Sequence, residues 1–256
     1  MKMMREFRWW FVMGGLVTFL GFAASDLEAE TLKTDWSSFA LGETPSGISG
    51  HGIPMFAQDL GTSRVVDATS TPPNPFSETP NALYIGRPNE LAQFRLRFRP
   101  FYDELVTKGW IEFEFQMIEG DFFMGFGGTA TRWDETDDWA YIDTKRVASI
   151  RFKIGDPIMF RNDPLRTPEA TLLEPERTYR LRVSWNLESE VPQLRFLIDG
   201  EKVLAEDGEE LVVSADDLKL LSEEYLAFGF YSGSSEVPNA EMFLGRISAS
   251  SEDSNQ

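Results

Sequence analysis

Residues Trp110 to Gly128, WIEFEFQMIEGDFFMGFGG, constrain this chain more than any other stretch. Ile111, Phe113, Phe115 and Met117 alternate with Trp110, Glu112, Glu114 and Gln116. Successive side chains of a strand point to opposite faces, so the pattern predicts a strand with one buried and one solvated face. Glu119-Gly120-Asp121 reads as a turn, and a second apolar run, Phe122 to Phe126, follows it and is closed by Gly127-Gly128. The expectation is a hairpin whose aromatic face needs a second sheet packed against it.

Ahead of the periodic part, Lys2, Arg5 and Arg8 precede an apolar run from Trp9 to Phe22, and small residues follow at Gly21, Ala23, Ala24 and Ser25. That is the layout of a secretory signal peptide over residues 1–25, with cleavage expected after Ala23, Ser25 or Ala29. A spanning helix needs about 20 apolar residues, more than this run supplies. The mature protein is therefore expected to be secreted or periplasmic and to leave the membrane once the signal is cleaved. With 42 Asp and Glu against 24 Lys and Arg, the formal net charge is −18. Nucleic-acid binding depends on Lys and Arg displacing counterions from phosphates, so no nucleic-acid partner is expected. Cys is 0, which excludes a disulfide framework, thiol chemistry and Cys-ligated zinc.

Residues 31–250 read as one β-domain, followed by a polar tail over 251–256. Arg64 to Asp67 and Ala82 to Ile85 are expected strands, and Phe94-Arg95-Leu96-Arg97-Phe98-Arg99 alternates apolar with Arg. The arginines, Arg95 and Arg97 among them, could line a groove for anionic groups. The plainer reading makes them a solvated face paired across to acids such as Glu112 and Glu114. Further strands are expected at Trp139–Thr144, Val147–Ile154, Ile158–Arg161, Tyr179–Trp185, Leu194–Ile198, Lys202–Leu204, Leu226–Tyr231 and Met242–Ala249. Asp199-Gly200 is a strong hairpin-turn signal. Ser214 to Leu221 is the one expected helix, with Ser214 as N-cap and Asp216 and Asp217 in its first turn. Many short strands with turn punctuation predict an all-β, two-sheet antiparallel β-sandwich with one short helix.

The order of these features resembles the concanavalin A-like lectin/glucanase superfamily, especially its laminin-G-like branch. The resemblance is carried by Trp110–Met117 leading to Phe122–Gly128, by Tyr179–Trp185, and by Leu194–Gly200 running into Asp-Gly. Leu226-Ala227-Phe228-Gly229-Phe230 and Ala240–Ile247 close the pattern. The opening, Trp36-Ser37-Ser38-Phe39 and Ala82-Leu83-Tyr84-Ile85, is similar to exported bacterial members. The resemblance implies a jelly roll with a concave face that often binds glycans. The superfamily holds lectins, carbohydrate-binding modules, glycoside hydrolases and polysaccharide lyases, and a fold does not choose among them.

Candidate chemistry is sparse. Glu112 and Glu114 share one face about 7 Å apart at the backbone, and a glycosidase needs two carboxyls flanking the bond. The superfamily's hydrolases carry Glu-x-Asp-x-x-Glu on such a strand, and here Met117 stands where the third acid belongs. His51 is the single histidine, in a Gly50-His51-Gly52 loop, so a Ser-His-Asp triad and a His-based zinc site both lack members. Trp133-Asp134-Glu135-Thr136-Asp137-Asp138-Trp139 offers more. Trp133 and Trp139, with Trp110, are candidates for stacking on sugar rings, and Asp134, Glu135, Asp137 and Asp138 are candidate Ca²⁺ ligands. A solvated acidic loop with Trp139 in the core is the plainer reading. The expected function is non-catalytic carbohydrate binding by an exported domain. The alternatives are a hydrolase or lyase of the same fold and a structural or protein-interaction domain.

Overall fold

The computed structural model describes residues 31–48, 54–59, 63–87, 94–101, 104–129, 146–155, 159–160, 172–204, 207–214, 218, 225–232 and 239–251. The expected signal peptide, His51 and the Trp133–Trp139 run lie outside the described residues. So does most of the expected helix, of which only Ser214 and Leu218 are described.

The central strand β7 runs from Lys108 to Glu119, longer than its apolar alternation alone requires. Its sheet also contains β1 (Thr31–Thr34), β4 (Arg64–Asp67), β5 (Asn81–Arg87), β11 (Thr178–Asn186), β12 (Gln193–Ile198), β13 (Glu201–Lys202), β14 (Val212–Val213) and β16 (Ala240–Ser250). The path is β13-β12-β11-β7-β16-β5-β4, with β1 beside β16 and β14 beside β12. The second sheet holds β2 (Ser46–Ile48), β3 (Pro54–Asp59), β6 (Phe94–Phe98), β8 (Asp121–Thr129), β9 (Arg146–Lys153), β10 (Met159–Phe160) and β15 (Tyr225–Ser232), in the order β10-β9-β8-β15-β6-β3-β2. All strand pairs in both sheets are antiparallel, among the described residues. The two-sheet antiparallel sandwich stands as expected.

The expected hairpin does not. β7 pairs with β11 and β16, whereas β8 pairs with β9 and β15 in the other sheet. Gly120, at φ 82°, carries the chain across. A Cβ on Gly120 would lie 2.3 Å from Asn239 O, so the crossing passes tightly under the start of β16. Both strands carry an apolar aromatic face. In one sheet these faces would lie side by side and exposed; in two sheets they close on each other. Phe113 packs edge-on to Phe230 at 5.2 Å, and Phe115 packs on Phe152 at the same distance, each contact joining the two sheets. Ile111, Phe113, Phe115 and Met117 are at most 2% exposed. The Asp199-Gly200 turn behaves as expected, with φ values of 53° and 82° that suit a two-residue hairpin between β12 and β13.

The row of arginines on β6 also lies elsewhere than expected. β6 sits between β15 and β3, with Arg97 opposite Gly229 and Phe56, and Arg95 opposite Tyr231 and Gln58. It therefore cannot pair with Glu112 and Glu114, which belong to the other sheet. Those acids face Arg182 and Arg180 of β11. Arg99 is not on a solvated face either, being 1% exposed.

The outer face of β7, expected to be solvated, is largely covered. Trp110, Glu114 and Gln116 are buried. A second apolar cluster, Val66, Phe76, Ala82, Tyr84 and Phe243, lies on this side of the sheet with Ile118 packed against it. Phe76 arrives on a segment built by Asp67, whose carboxylate accepts from Thr69 and Ser70, and by Asn74, whose side chain caps Phe76 N and donates to Thr79 O. Phe115→Ala is expected to lower unfolding free energy by about 3–5 kcal/mol through lost burial and a residual cavity. Glu112→Gln, half-exposed on the outer face, should change it by less than about 1 kcal/mol. Urea denaturation of both variants checks the face assignment; equal losses would refute it.

Candidate functional site

β7 and β11 pair so that Arg180 stands opposite Glu114, Arg182 opposite Glu112 and Ser184 opposite Trp110. Opposite charges in directly facing positions interact. Both Nε and Nη2 of Arg182 lie 3.0 Å from Glu112 Oε2. The Arg182 guanidinium also lies over the Trp110 ring, 4.3 Å from its centroid. Arg180 bridges two carboxylates, at 2.9 Å from Glu78 and 3.5 Å from Glu114. Burial works against the charge on Arg180, but the nearby carboxylates of Glu114, Glu78 and Glu112 outweigh it and hold its pKa above the ordinary value.

On the other side of β7 the register is broken. Leu244 of β16 faces Phe115 and Ile247 faces Phe113, so Gly245 and Arg246 together oppose Glu114 alone. Two residues against one make a β-bulge, which bends the strand and re-aims side chains. Gly245 is required there: a Cβ would lie 2.5 Å from Glu114 Oε2 and 3.0 Å from the Phe76 ring. The bulge is pinned from the core side by Trp36, whose Nε1–H donates to Gly245 O at 2.5 Å. Trp36 holds this bond from a left-handed backbone conformation, φ 65°, with Asp35 Oδ1 accepting from Ser37 N to form the turn. The backbone N–H of Arg246 then approaches Glu114 Oε2 at 3.4 Å.

These elements enclose a pocket of about 250 Å³ on the outer face of the nine-stranded sheet. Trp110, Glu112 and Glu114 line it from β7, Arg180 from β11, Arg246 and Ser248 from β16, and Lys33 from β1. Lys33 arrives because β1 pairs with the end of β16 and sets it opposite Ser248. The walls bring three cations against two carboxylates on a chain whose net charge is −18. Among the described residues, neither Lys33 nor Arg246 has a carboxylate partner. Trp110 is 8% exposed and its Nε1–H, wholly buried, has no acceptor among the described residues.

The pocket therefore gathers three residues singled out in the sequence, Trp110, Glu112 and Glu114. Arg95 and Arg97 stand in the other sheet and do not join it. Trp133, Trp139, Asp134, Glu135, Asp137 and Asp138 fall outside the described residues. Among the described residues no group of three or more acidic or histidine side chains is gathered to hold a metal ion. Sequence reasoning missed Lys33, Arg180, Arg182, Arg246 and Ser248. The alternation Tyr179-Arg180-Leu181-Arg182 was a usable signal, because its arginines match the spacing of Glu112 and Glu114.

No protein-family model and no curated protein matches this chain. Solved structures do. The carbohydrate recognition domain of Emp46p aligns at a TM-score of 0.48 and 8% identity, over 78% of this chain and 88% of that one. Lectin II from Ulex europaeus aligns at 0.45 and 10% identity, over 86% and 97%. A protein of unknown function from Shewanella oneidensis aligns at 0.45 and 9% identity, over 88% and 89%.

Gly245→Ala should destabilise the fold by about 1–3 kcal/mol, the usual cost of overpacking. Because the added methyl meets Glu114, the loss in Gly245→Ala/Glu114→Ala should be smaller than the sum of the single losses by at least about 0.5 kcal/mol. Additive losses in a denaturant double-mutant cycle would show that the contact is not the source.

Proposed function

We propose that this chain is an exported, non-catalytic carbohydrate-binding domain that holds one sugar ring in the pocket beside Trp110. The observation that carries the reading is the composition of that pocket. Small-molecule sites run from about 300 Å³ for drug-sized ligands, so a pocket of about 250 Å³ suits a single ring. A sugar ring presents hydroxyls that both donate and accept. Glu112 commits Oε2 to Arg182, while Oε1 has no donor among the described residues and is ready to accept. Ser248, Lys33 and Arg180 supply further polar groups on the same walls.

Binding without catalysis suits the two carboxylates. Glycoside hydrolysis needs one carboxyl to deliver a proton and another to attack or to activate water from the opposite side of the bond. Glu112 and Glu114 stand on one strand with Arg182, Arg180 and the Arg246 N–H directed at their oxygens. These contacts fix both carboxylates in place as acceptors.

Screening the purified protein on a glycan array, then titrating the hits by calorimetry, tests the reading. A neutral or acidic glycan should bind with a micromolar to millimolar dissociation constant, and Glu112→Ala should weaken it at least tenfold without a change in melting temperature beyond a few degrees. Absence of any glycan ligand, or a folded Glu112→Ala that binds like wild type, would overturn it. Release of reducing ends from the bound glycan would overturn the non-catalytic part.

Export is supported by the basic-then-apolar opening of the sequence. Protein recovered from the periplasm or medium should have an intact mass lacking the first 23 to 29 residues (cleavage after Ala23, Ser25 or Ala29). A full-length mass in that fraction would sink this part.

A further inference from the structure

We infer that the pocket selects an acidic sugar: a single oxyanion on the ring, whether a uronate carboxylate or a sulfate ester, held by Lys33 and Arg246. The inference rests on the carbohydrate reading of the same pocket and goes beyond it by naming what the sugar must carry.

Two donors point to the oxyanion. Lys33 and Arg246 line the pocket from neighbouring strands, and neither has a carboxylate partner among the described residues. The other two guanidiniums nearby differ: Arg182 is neutralised by Glu112 and Arg180 by Glu78 and Glu114. Among the described residues Arg246 Nη2 meets only the Glu78 carbonyl, at 3.4 Å, so both cations keep a full charge to offer an oxyanion. Trp110, more than nine-tenths buried, forms the wall beside them and contributes shape, its Nε1–H being closed off from the pocket. The β-bulge is what delivers Arg246 to this side, and a bulge beside a binding site commonly serves to re-aim a side chain.

The acceptors limit the charge. Glu112 and Glu114 share the walls with these cations, so a densely charged ligand meets repulsion as soon as it extends past Lys33 and Arg246. One oxyanion with adjacent hydroxyls satisfies both halves: the anion on the cationic wall, a hydroxyl donating to Glu112 Oε1. Phosphate esters with two charges, and polyanions, fit less well.

The test uses the purified chain and three disaccharides of one backbone: one with a glucuronate unit, the same compound with its carboxyl reduced to the alcohol, and the reduced compound sulfated at that position. Calorimetry should show the glucuronate or the sulfated form binding at least tenfold more tightly than the reduced form, and the two acidic arms reveal which oxyanion is preferred. Arg246→Gln and Lys33→Gln should each bring the acidic-to-neutral ratio down at least threefold. Melting curves of each variant verify folding; should Arg246→Gln not fold, the Lys33→Gln variant, at an exposed position, still decides. Equal affinity for acidic and reduced forms would overturn the inference while leaving the carbohydrate reading standing. No binding of any of the three, with no glycan hit on the array, would overturn both. Unchanged selectivity in folded Lys33→Gln and Arg246→Gln would also overturn it.

Discussion

The contact between Glu114 and the bulge at Gly245–Arg246 sets the geometry on which the outer face depends. Glu114 is buried on the middle strand of the larger sheet, where a carboxylate needs close partners. Its partners come from both neighbouring strands: Arg180 on β11 and the Arg246 N–H on β16. The second is reachable only because β16 carries one extra residue at this point and because that residue's neighbour has no Cβ. Trp36 fixes the bulge by accepting a strained backbone conformation in exchange for a bond to Gly245 O. The order of dependence runs from core to surface: indole, bulge, carboxylate, pocket.

Much of the sandwich was legible in the sequence because it follows from local alternation. Arg64–Asp67 is a strand with the expected bounds, and β11, β12, β15 and β16 begin and end within two residues of the apolar-polar pattern that predicts them. The two-residue turn at Asp199-Gly200 was legible for the same local reason. The partner of each strand was not. Phe122–Phe126 looks like the return arm of a hairpin because the turn before it is short, yet a short turn fits equally well a chain that steps from one sheet to the other. What decides between the two is the summed burial of two aromatic faces, which is a property of the assembled core and of no single window.

The same limit explains the candidate site. Trp110, Glu112 and Glu114 could be placed on one face from their spacing, but the face was expected to be open to water. Its cover comes from Phe76, more than thirty positions earlier in the chain, and from a strand near the C-terminal end. The nearest Arg-rich strand in sequence, β6, is the natural source of charges opposing Glu112 and Glu114, yet those charges lie on β11. The extra residue in β16 leaves no mark in the local pattern, since Leu244, Gly245, Arg246 and Ile247 show no turn signal; a bulge is a mismatch of counts between two strands and exists only once they are paired. Five of the eight residues that line the pocket or brace it from β11 are therefore invisible to any argument that treats one strand at a time.

The electrostatics of the pocket reconcile two opposed facts, a strongly acidic chain and a wall with two cations that lack carboxylate partners among the described residues. Charges separated by more than a Debye length, about 8 Å at physiological ionic strength, are largely screened from each other. The many acids elsewhere on the surface consequently act on an approaching ligand only weakly, while Lys33 and Arg246 act on it at contact and in a partly desolvated setting where attraction is stronger. Distance also separates function within the site. Arg180 and Arg182 on β11 are consumed in holding those carboxylates as acceptors, while Arg246 on β16 and Lys33 on β1, across the other edge of β7, have no carboxylate partner among the described residues. Had all four been paired, the pocket would be a neutral polar dimple; had none been, Glu114 could not remain buried on the middle strand. The division between the arginines paired with carboxylates on β11 and the two cations without such partners among the described residues underlies both the stable floor and the proposed preference in charge.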